Sequence, residues 1–259
     1  MIRFDQVSFS YGARQVLQDV SFSINAGERI AILGGSGEGK TTILKLALGL
    51  LRPESGRILI DGEDITGKTE DDLRAIRMNF SIVFQEGALF DSLNVKENVA
   101  FCLREYRQMS EEEIEQKVKE LLRIVGLEHD LDLMPEELSG GMHRRVAIVR
   151  SLAAFEPKMF LYDEPTAGLD PINAGMICRL ILDLCEDGRG FIIVTHKVFD
   201  ALKVAERTLF LRNGRIIFDG EREKLLKNSS PEIQAFLGEL RFDGLAILTP
   251  APEASGAGK

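Results

Sequence analysis

The N-terminal 24 residues alternate between hydrophobic and polar side chains along most of their length. A period of two puts the hydrophobic side chains on one face of an extended chain. The hydrophobic positions are Ile2, Phe4, Val7, Phe9, Val20, Phe22 and Ile24. The pattern therefore predicts strands with one buried and one solvated face.

Continuous hydrophobic runs, rather than alternating ones, occupy residues 30–33, 159–162 and 191–195. Strands that are buried on both faces have this pattern, and such strands are typical of parallel sheets. Shorter runs at residues 57–60 and 80–84 predict two further strands.

Helices are predicted between these strands. One is expected over residues 41–51, where it is closed by Pro53, and others separate the later strands. Residues 208–218 contain Asn213 and Gly214 between two hydrophobic runs, which indicates a β-hairpin. Because strands alternate with helices, we expect a mostly parallel sheet and an α/β fold.

Residues 88–153 contain no convincing strand pattern and one clear amphipathic helix. Ser110 and Glu113 have the spacing of a capping box at its start, and Gly126 is a stop signal at its end. Hydrophobic residues recur at helical spacing between them, at Ile114, Val118, Leu121, Leu122 and Val125. We therefore expect a helical insertion over residues 88–153.

The composition is that of an ordinary globular protein. The chain has 259 residues, of which 44% are hydrophobic, so it is long enough for one large domain or two small ones. Its net charge is −9. This charge argues against non-specific binding to nucleic acid, which requires a basic surface.

The cysteine pattern and the hydropathy bear on the compartment. The three cysteines, Cys102, Cys178 and Cys185, are an odd number at irregular spacing, which fits neither a disulfide framework nor a zinc site. We expect reduced cysteines in a protein core. There is no hydrophobic run long enough to span a membrane and no signal-peptide pattern, so we expect the chain to stay in the compartment where it is made.

A glycine-rich loop follows the first buried run. Residues 34–41 have the sequence G-G-S-G-E-G-K-T, which fits the phosphate-binding motif G-x-x-x-x-G-K-[ST] in its strand-loop-helix context. Glycines allow backbone N–H groups to turn toward a phosphate, and the helix that follows directs its positive end there. The expected phosphate-binding residues are Gly34, Gly35, Ser36, Gly37, Glu38, Gly39, Lys40, Thr41 and Thr42.

Within this loop, Lys40 is expected to reach the β- and γ-phosphates, and the Thr41 hydroxyl is expected to bind Mg²⁺. Two carboxylates, Asp163 and Glu164, follow the buried run at residues 159–162. One can hold Mg²⁺ and the next can orient or deprotonate the attacking water, so we assign Asp163 to the metal and Glu164 to the water. A phosphate loop alone does not distinguish a kinase, a GTPase and a transport motor.

The segment Leu-Ser-Gly-Gly-Met at residues 138–142 resembles the signature of the ATP-binding cassette (ABC) ATPases, which is usually L-S-G-G-Q. Ser139 can cap a helix, and Gly140 and Gly141 expose backbone N–H groups at its positive end. In that family, this helix end meets the γ-phosphate bound by another subunit. The resemblance therefore implies two copies packed head to tail, with two ATP molecules and Mg²⁺ between them.

Four further residues match motifs of the same family. Tyr11 resembles the aromatic residue that stacks on adenine. Gln85 resembles the loop glutamine that senses Mg²⁺ and couples to the membrane partner. Asp170, in the sequence A-G-L-D, resembles the loop that crosses the dimer interface, and His196 resembles the switch histidine on the γ-phosphate.

Two positions depart from the family pattern. Met142 takes the place of the signature glutamine, and we expect catalysis to survive this change because Ser139 and both glycines are kept. Lys197 follows the switch histidine where an acid is common.

The resemblance covers about residues 1–240 and implies the fold in detail. It implies an α/β P-loop ABC-ATPase fold, a RecA-like core with an N-terminal antiparallel β-subdomain and a helical subdomain. We expect the ATPase domain at residues 1–242, with the helical subdomain at about 88–153, and a C-terminal tail at 243–259. Residues 249–259 are rich in Pro, Ala, Gly and Ser and are expected to be disordered.

Three features resemble one group of these ATPases, the Mla/Mce type that transports lipid, including its chloroplast relatives. They are the run G-A-L-F-D-S-L at residues 87–93, Met142, and the segment at residues 230–238. The resemblance implies an ATPase subunit on the cytoplasmic face of a bacterial inner membrane. A separate permease would then carry phospholipid between the inner and outer membranes.

The same resemblance implies further partners, a membrane-anchored lipid-binding subunit and a small cytoplasmic regulatory protein. Two alternatives stay open, a transport ATPase for another substrate and a cell-envelope regulator that moves no cargo. Leu89, Phe90 and Leu93 form either a surface for a coupling helix of the permease or part of the helical core. Ile233, Phe236 and Leu237 form a short stripe that packs on the chain's own body or on a second subunit.

Overall fold

The computed structural model describes residues 1–106, 109–153, 157–185 and 188–238. These residues form two sheets and a set of helices. The strands are β1 (Ile2–Tyr11), β2 (Arg14–Ile24), β3 (Arg29–Leu33), β4 (Ser55–Ile60), β5 (Glu63–Asp64), β6 (Phe80–Val83), β7 (Met159–Asp163), β8 (Gly190–Thr195), β9 (Arg207–Arg212) and β10 (Arg215–Glu221).

The helices flank these strands, and a short 3-10 turn spans Pro135–Glu137. The α-helices are α1 (Lys40–Ala47), α2 (Glu70–Arg77), α3 (Val95–Tyr106), α4 (Glu111–Ile124), α5 (Gly140–Ala153), α6 (Pro171–Asp183), α7 (Val198–Val204), α8 (Arg222–Leu226) and α9 (Pro231–Leu237). No helix within the described ranges is long and hydrophobic enough to cross a membrane.

The larger sheet has six strands in the order β10-β9-β3-β8-β7-β6. Its neighbours are parallel from β9 to β6, and only β10 pairs antiparallel, in the hairpin with β9. Because β3, β8 and β7 are consecutive and parallel, the loops after them meet at one edge of the sheet. This topology brings the glycine-rich loop, the acidic pair and His196 together.

The smaller sheet is antiparallel, in the order β2-β1-β4-β5. Its buried side chains pack against one face of the six-stranded sheet, and most of the helices cover the other face. Strand β3 shows the division: Ile30 and Ile32 join the core beneath the antiparallel sheet, whereas Ala31 and Leu33 join the helical core. Both faces of β3 are therefore buried, as its continuous hydrophobic run predicts.

The expected helical character of residues 88–153 is confirmed in the described part of that range, where α3, α4, α5 and the 3-10 turn account for the regular structure. The capping box of α4 is also confirmed. The Ser110 hydroxyl accepts from Glu113 N–H at 3.3 Å, and Ser110 N–H donates to the Glu113 carboxylate at 2.7 Å. Four of the predicted hydrophobic positions on α4, Ile114, Val118, Leu121 and Leu122, are buried.

Two boundaries differ from the sequence-based expectation. The helix predicted over residues 41–51 ends at Ala47, because Gly49 takes a left-handed conformation with φ of 64° and cannot continue the helix. The strand predicted over residues 80–84 ends at Val83. The hairpin predicted at Asn213 and Gly214 is confirmed by the pairing of β9 with β10.

The C-terminal helix α9 packs on the chain's own body. Ile233 and Leu237 are buried in the helical core, and the ring of Phe236 meets Phe210 edge-on with 4.9 Å between centroids. This settles which of the two predicted packings the stripe adopts. The expected tail at residues 243–259, with its expected disorder at 249–259, lies outside the described residues.

Tyr162 on β7 is fully buried between aromatic neighbours, and its hydroxyl has no hydrogen-bond partner in the described part of the chain. Burial raises its pKa well above the ordinary value. Because an unpaired buried hydroxyl costs stability, Tyr162→Phe is expected to leave the free energy of unfolding unchanged or raise it by about 1 kcal/mol. Tyr162→Ala is expected to lower it by about 3–5 kcal/mol because it leaves a cavity.

Urea unfolding of both variants measures this difference. A loss of more than about 1 kcal/mol in Tyr162→Phe is the outcome that contradicts the account, because it means that the hydroxyl has a partner in the folded protein.

Candidate active site

An open cleft of about 310 Å³ lies at the carboxyl end of β3. It is bordered by the glycine-rich loop, by the end of β1 and the start of β2, and by residues that follow β6 and β7. Its lining residues are Tyr11, Arg14, Val16, Ser36, Gly37, Gly39, Lys40, Thr41, Thr42, Gln85 and Glu164. Nine of these eleven are residues that the sequence assigns to a nucleotide site, and Arg14 and Val16 are additions.

Lys40 is the buried cation of the cleft. Its amino group donates to the carbonyl oxygens of Gly34 and Gly35, each at 2.9 Å, so the side chain curls back over the loop. The same amino group lies 3.5 Å from the Glu164 carboxylate. These contacts hold a positive charge at the start of α1, where the helix dipole also favours a bound phosphate.

The loop conformation depends on its glycines. Gly37 and Gly39 have φ of 78° and 107°, a region that side chains disfavour. A Cβ on Gly39 would lie 2.9 Å from side-chain atoms of Val16 and Leu17, so a larger residue would collide with β2. The loop is therefore shaped by its backbone to present N–H groups.

Glu38 points away from the expected phosphate position. Its carboxylate accepts from the Arg212 guanidinium at 2.9 Å and from Asn213 N–H at 2.6 Å. The side chain therefore anchors the loop to the β9–β10 turn. The carboxylate of Glu38 is therefore not a phosphate ligand, and the group that the motif would use at this position is the backbone N–H.

Thr41 and Asp163 form the candidate magnesium site. The Thr41 hydroxyl donates to the Asp163 carboxylate at 3.0 Å. Burial raises the pKa of Asp163; the Thr41 hydrogen bond opposes this, the Glu164 charge adds to it, and Lys40 opposes it. Hydroxyl and carboxylate oxygens are ligands that Mg²⁺ prefers, so these two groups fit that ion.

Among the described residues, no group of three or more His, Cys, Asp or Glu side chains is arranged to hold a metal by itself.

Glu164 has a constrained backbone and a well-held carboxylate. Its φ is 47°, which is uncommon for a residue with a side chain, and its N–H donates to Val194 O at 2.9 Å. One carboxylate oxygen accepts from the Thr195 hydroxyl at 3.0 Å. The other accepts from His196 N–H at 3.1 Å and lies 2.9 Å from His196 Nδ1.

These contacts determine the proton position on His196. A carboxylate only accepts hydrogen bonds, so Nδ1 donates in this contact and Nε2 takes no part in it. The end of β8 therefore orients both the candidate base and the candidate switch residue. The structure thus brings Lys40, Thr41, Asp163, Glu164 and His196 together, as the sequence predicts.

Tyr11 and Gln85 both line the cleft. The Tyr11 ring is 48% exposed and packs edge-on against Phe9 at 4.8 Å, which leaves a face available for stacking. Gln85 follows β6, and Arg144 of α5 donates to the carbonyl oxygens of Phe84, at 3.1 Å, and Gln85. Arg144 therefore ties the glutamine loop to the helix that begins at the signature segment.

The signature segment lies elsewhere on the surface. The Ser139 hydroxyl accepts from Met142 N–H at 3.3 Å and so caps α5. A Cβ on Gly141 would lie 2.7 Å from Asn173 Oδ1, so a larger residue here would require the Asn173 side chain of α6 to move. The Met142 side chain packs against the helical core, which explains why a hydrophobic residue is accepted where an amide is usual.

Asp170 caps α6 in the same neighbourhood. Its carboxylate accepts from Ile172 N–H at 2.9 Å and from Asn173 N–H at 3.0 Å, and hydrogen bonds from Asn173 lower its pKa. Asn173 thus contacts both Asp170 and the position of Gly141. None of Ser139, Gly140, Gly141 and Asp170 is among the lining residues of the chain's own cleft.

The two added lining residues, Arg14 and Val16, come from the start of β2. Gly12, with φ of 59°, begins the tight turn that returns the chain from Tyr11 to Arg14. The Arg14 guanidinium lies 3.6 Å from the position that a Cβ on Gly37 would take. The sequence could have indicated Arg14 as a cleft residue in one way only, because it stands just across this short hairpin turn from Tyr11.

The segment after Gln85 is held by two side chains of the helical region, Arg150 and Asn98. Arg150 donates to Ala88 O at 2.6 Å and its guanidinium lies 5.4 Å from the centre of the Phe90 ring. The fully buried Asn98 amide bonds to both the N–H, at 2.8 Å, and the carbonyl, at 3.2 Å, of Phe90.

These contacts divide the predicted hydrophobic surface. Leu89 belongs to the helical core and Leu93 is half-buried, so neither forms an open surface. Phe90 is 41% exposed and its ring lies 4.8 Å from that of the exposed Phe101. The exposed part is therefore an aromatic patch of Phe90 and Phe101 beside Arg150.

The family model described as ABC transporter matches residues 17–167 of the chain. A "Probable ribonucleotide transport ATP-binding protein mkl" of Mycobacterium leprae is 39% identical over 247 residues, 95% of this chain and 71% of that protein. "Protein TRIGALACTOSYLDIACYLGLYCEROL 3, chloroplastic" of Arabidopsis thaliana is 39% identical, over 91% of this chain and 73% of its own.

The "Intermembrane phospholipid transport system ATP-binding protein MlaF" of Escherichia coli is 38% identical, over 95% of this chain and 90% of its own. Among solved structures, the dimeric bacterial ABC transporter cassette MJ0796 aligns with a TM-score of 0.78 at 33% identity, over 85% of this chain and 98% of that chain. The same cassette solved as a dimer with ADP and Pi aligns with a TM-score of 0.77.

Proposed function

Since the chain belongs to the ABC transporter family of ATP-binding proteins and is an ATPase, we propose that it powers phospholipid transport between the inner and outer membranes of a bacterium through a separate permease. The observation that carries the ATPase chemistry is the geometry around Glu164. Its carboxylate is held by Thr195 and His196, and it lies 3.5 Å from the Lys40 amino group.

The residues of the cleft divide the work on a bound ATP. Backbone N–H groups of residues 34–42 and the Lys40 amino group bind the phosphates, and the free face of Tyr11 stacks on the adenine. Thr41, Asp163 and Gln85 hold Mg²⁺, which neutralises phosphate charge when it is bound.

Glu164 then orients the attacking water and accepts its proton. His196 keeps the Glu164 carboxylate in position through Nδ1, and its other nitrogen faces away from that contact and is available to the γ-phosphate. In this scheme each group of the chain acts from the position that the strand ends give it.

A second copy of the chain completes the site. Ser139, Gly140 and Gly141 lie at the positive end of α5, outside the chain's own cleft, and can meet the γ-phosphate of another copy. Asp170 would lie at the same interface. The dimeric arrangement of the similar cassette MJ0796 supports this proposal.

The aromatic patch of Phe90 and Phe101 is the proposed docking surface for the permease. Two adjacent exposed rings beside a cation form the kind of surface that a short amphipathic helix covers. It lies in the segment that begins at Gln85, so movement at the nucleotide reaches the patch through Arg144 and Arg150.

Phe90→Glu is expected to reduce the permease recovered with the tagged chain by at least about tenfold, because a charge replaces the buried centre of the interface. Ile124→Glu is the matched control, since Ile124 is also an exposed hydrophobic residue of the helical region, at 54% exposure. Equal permease recovery with the two variants would show that the aromatic patch of Phe90 and Phe101 does not bind the permease.

Phospholipid is the cargo that we favour, because the similarity to MlaF extends over nearly the whole of both chains. The complex would then include a membrane-anchored lipid-binding subunit, possess a small cytoplasmic regulator, and lie on the cytoplasmic face of the inner membrane. The similar mkl proteins carry the name of a ribonucleotide transporter, so another transported substrate is the competing function.

The test is to purify the tagged chain from gently solubilised native membranes and to identify the accompanying proteins and lipids by mass spectrometry, with Phe90→Glu as the matched negative. A polytopic permease with a lipid-binding subunit and enriched phospholipid supports the proposal. A permease with a receptor for a soluble substrate and no enriched lipid would contradict phospholipid as the cargo and leave the assignment as a transport ATPase unchanged.

A further inference from the structure

Lys197 follows the switch histidine and joins two loops that flank the candidate base. Its amino group donates to the carbonyl oxygen of Thr166 at 2.7 Å. Its backbone N–H donates to the Thr195 hydroxyl at 3.0 Å, and that same hydroxyl donates to the Glu164 carboxylate at 3.0 Å. Lys197 thus contacts both the turn after Glu164 and the Thr195 hydroxyl that donates to the Glu164 carboxylate.

Thr166 is the point at which this turn is held. The residue is fully buried, and its hydroxyl donates to the buried carboxylate of Asp200 on α7 at 2.6 Å. Its carbonyl oxygen also accepts from Leu169 N–H at 3.2 Å. Thr166 is therefore held through its main-chain carbonyl by Lys197 and through its side-chain hydroxyl by Asp200, at the start of the loop that ends at Asp170.

The sign of the charge at position 197 matters in this arrangement. An ammonium group can donate to the Thr166 carbonyl, whereas a carboxylate at this place would face an oxygen that can only accept. A neutral hydrophobic side chain would leave the second lone pair of that carbonyl without its charged donor. The contact therefore depends on a cationic donor.

We infer that Lys197 is a positioning residue that couples Glu164 and His196 to the loop at residues 166–170. The inference rests on the proposed hydrolytic role of Glu164. The hydrogen-bonded path runs from Asp200 through Thr166 and Lys197 to Thr195 and Glu164. Lys197 lies outside the lining of the nucleotide cleft, so its loss alters the chemical step more than it alters ATP binding.

The test compares Lys197→Met, Lys197→Arg and Lys203→Met in the full-length chain. Lys197→Met is expected to lower kcat about tenfold and to change KM for ATP less than about twofold, because a charge-assisted hydrogen bond behind the base is lost. Lys197→Arg, which restores a cationic donor, is expected to recover kcat to within about threefold of the original chain.

Lys203→Met is the matched control for loss of a lysine charge, because Lys203 lies in α7, the helix that Lys197 immediately precedes. Lys203 lies against Gly175 of α6 and not against Thr166. The kcat of Lys203→Met is therefore expected to stay within about twofold of the original value. If thermal melting shows that Lys197→Met folds poorly, Lys197→Gln replaces it, since this side chain is neutral, polar and one atom shorter.

A kcat within twofold of the original in the neutral variant, or a loss that arginine does not recover, overturns the inference. Either result leaves the proposed function intact if Glu164→Gln still abolishes turnover. Absence of ATP hydrolysis by the unaltered chain would instead remove the proposed function.

Discussion

Replacing Glu164 with glutamine is expected to lower ATP turnover by about a hundredfold to ten-thousandfold, while ATP still binds. The amide has nearly the same shape and keeps one oxygen that can accept from Thr195 or His196, so the local structure is retained. It cannot accept a proton from water, and the negative charge that holds the His196 ring is lost. The change therefore acts on the chemical step.

Phosphate release under steady-state conditions, together with binding of a fluorescent ATP analogue, measures the two effects separately. Glu206→Gln is the matched control, because Glu206 is an exposed carboxylate remote from the cleft residues. Turnover in Glu164→Gln that stays within about threefold of the original chain would assign the base to another residue.

Lys40→Ala is expected to weaken ATP binding itself, by about a hundredfold or more. Lys40 is 6% exposed and supplies the buried positive charge at the start of α1. A charge-assisted contact to phosphate contributes about 1.5–3 kcal/mol, and Lys40 is placed to make more than one. Its removal also leaves the carboxylates of Asp163 and Glu164 without the nearby cation, which adds repulsion against the nucleotide.

Calorimetric titration with ATP and Mg²⁺ measures this loss. Lys45→Ala removes a lysine from the last turn of the same helix, away from the phosphate loop, and is expected to bind ATP normally. If Lys40→Ala bound ATP as tightly as Lys45→Ala, Lys40 would be a structural residue that only holds the loop carbonyls.

The fold class and the core of the site follow from the sequence, because both depend on local patterns. The predicted α/β ABC-ATPase fold is confirmed by the match to the cassette structures. The hydrophobic runs identify the strands, and consecutive parallel strands bring their carboxyl ends together. This is why Thr41, Asp163, Glu164 and His196 could be grouped before any distance was measured.

Side-chain partners across the fold could not be predicted in this way. Glu38 meets Arg212, which lies 174 residues away along the chain, and Lys197 meets Thr166, which lies 31 residues away. Neither contact belongs to a helical or strand periodicity. A motif that allows any residue at position 38 gives no information on where that side chain points.

The sequence also did not predict that Leu89 is buried while the neighbouring Phe90 is exposed. Gly87 and Ala88 both have positive φ, at 73° and 50°, so the chain turns sharply just before these two residues. Neither a period of two nor one of 3.6 applies through such a turn, and burial cannot be assigned from the pattern.

The domain limits at residues 1–242, 88–153 and 243–259 stay predictions.

The central claim is that two copies of the chain share the ATP sites, with Ser139, Gly140 and Gly141 of one copy completing the cleft of the other. Light scattering of Glu164→Gln with saturating ATP and Mg²⁺ tests it most directly, because this variant is expected to hold ATP without hydrolysing it. The account predicts twice the 28.8 kDa mass of the chain, one retained ATP per chain, and reversal by Ser139→Arg. A single-chain mass at full ATP occupancy would contradict it.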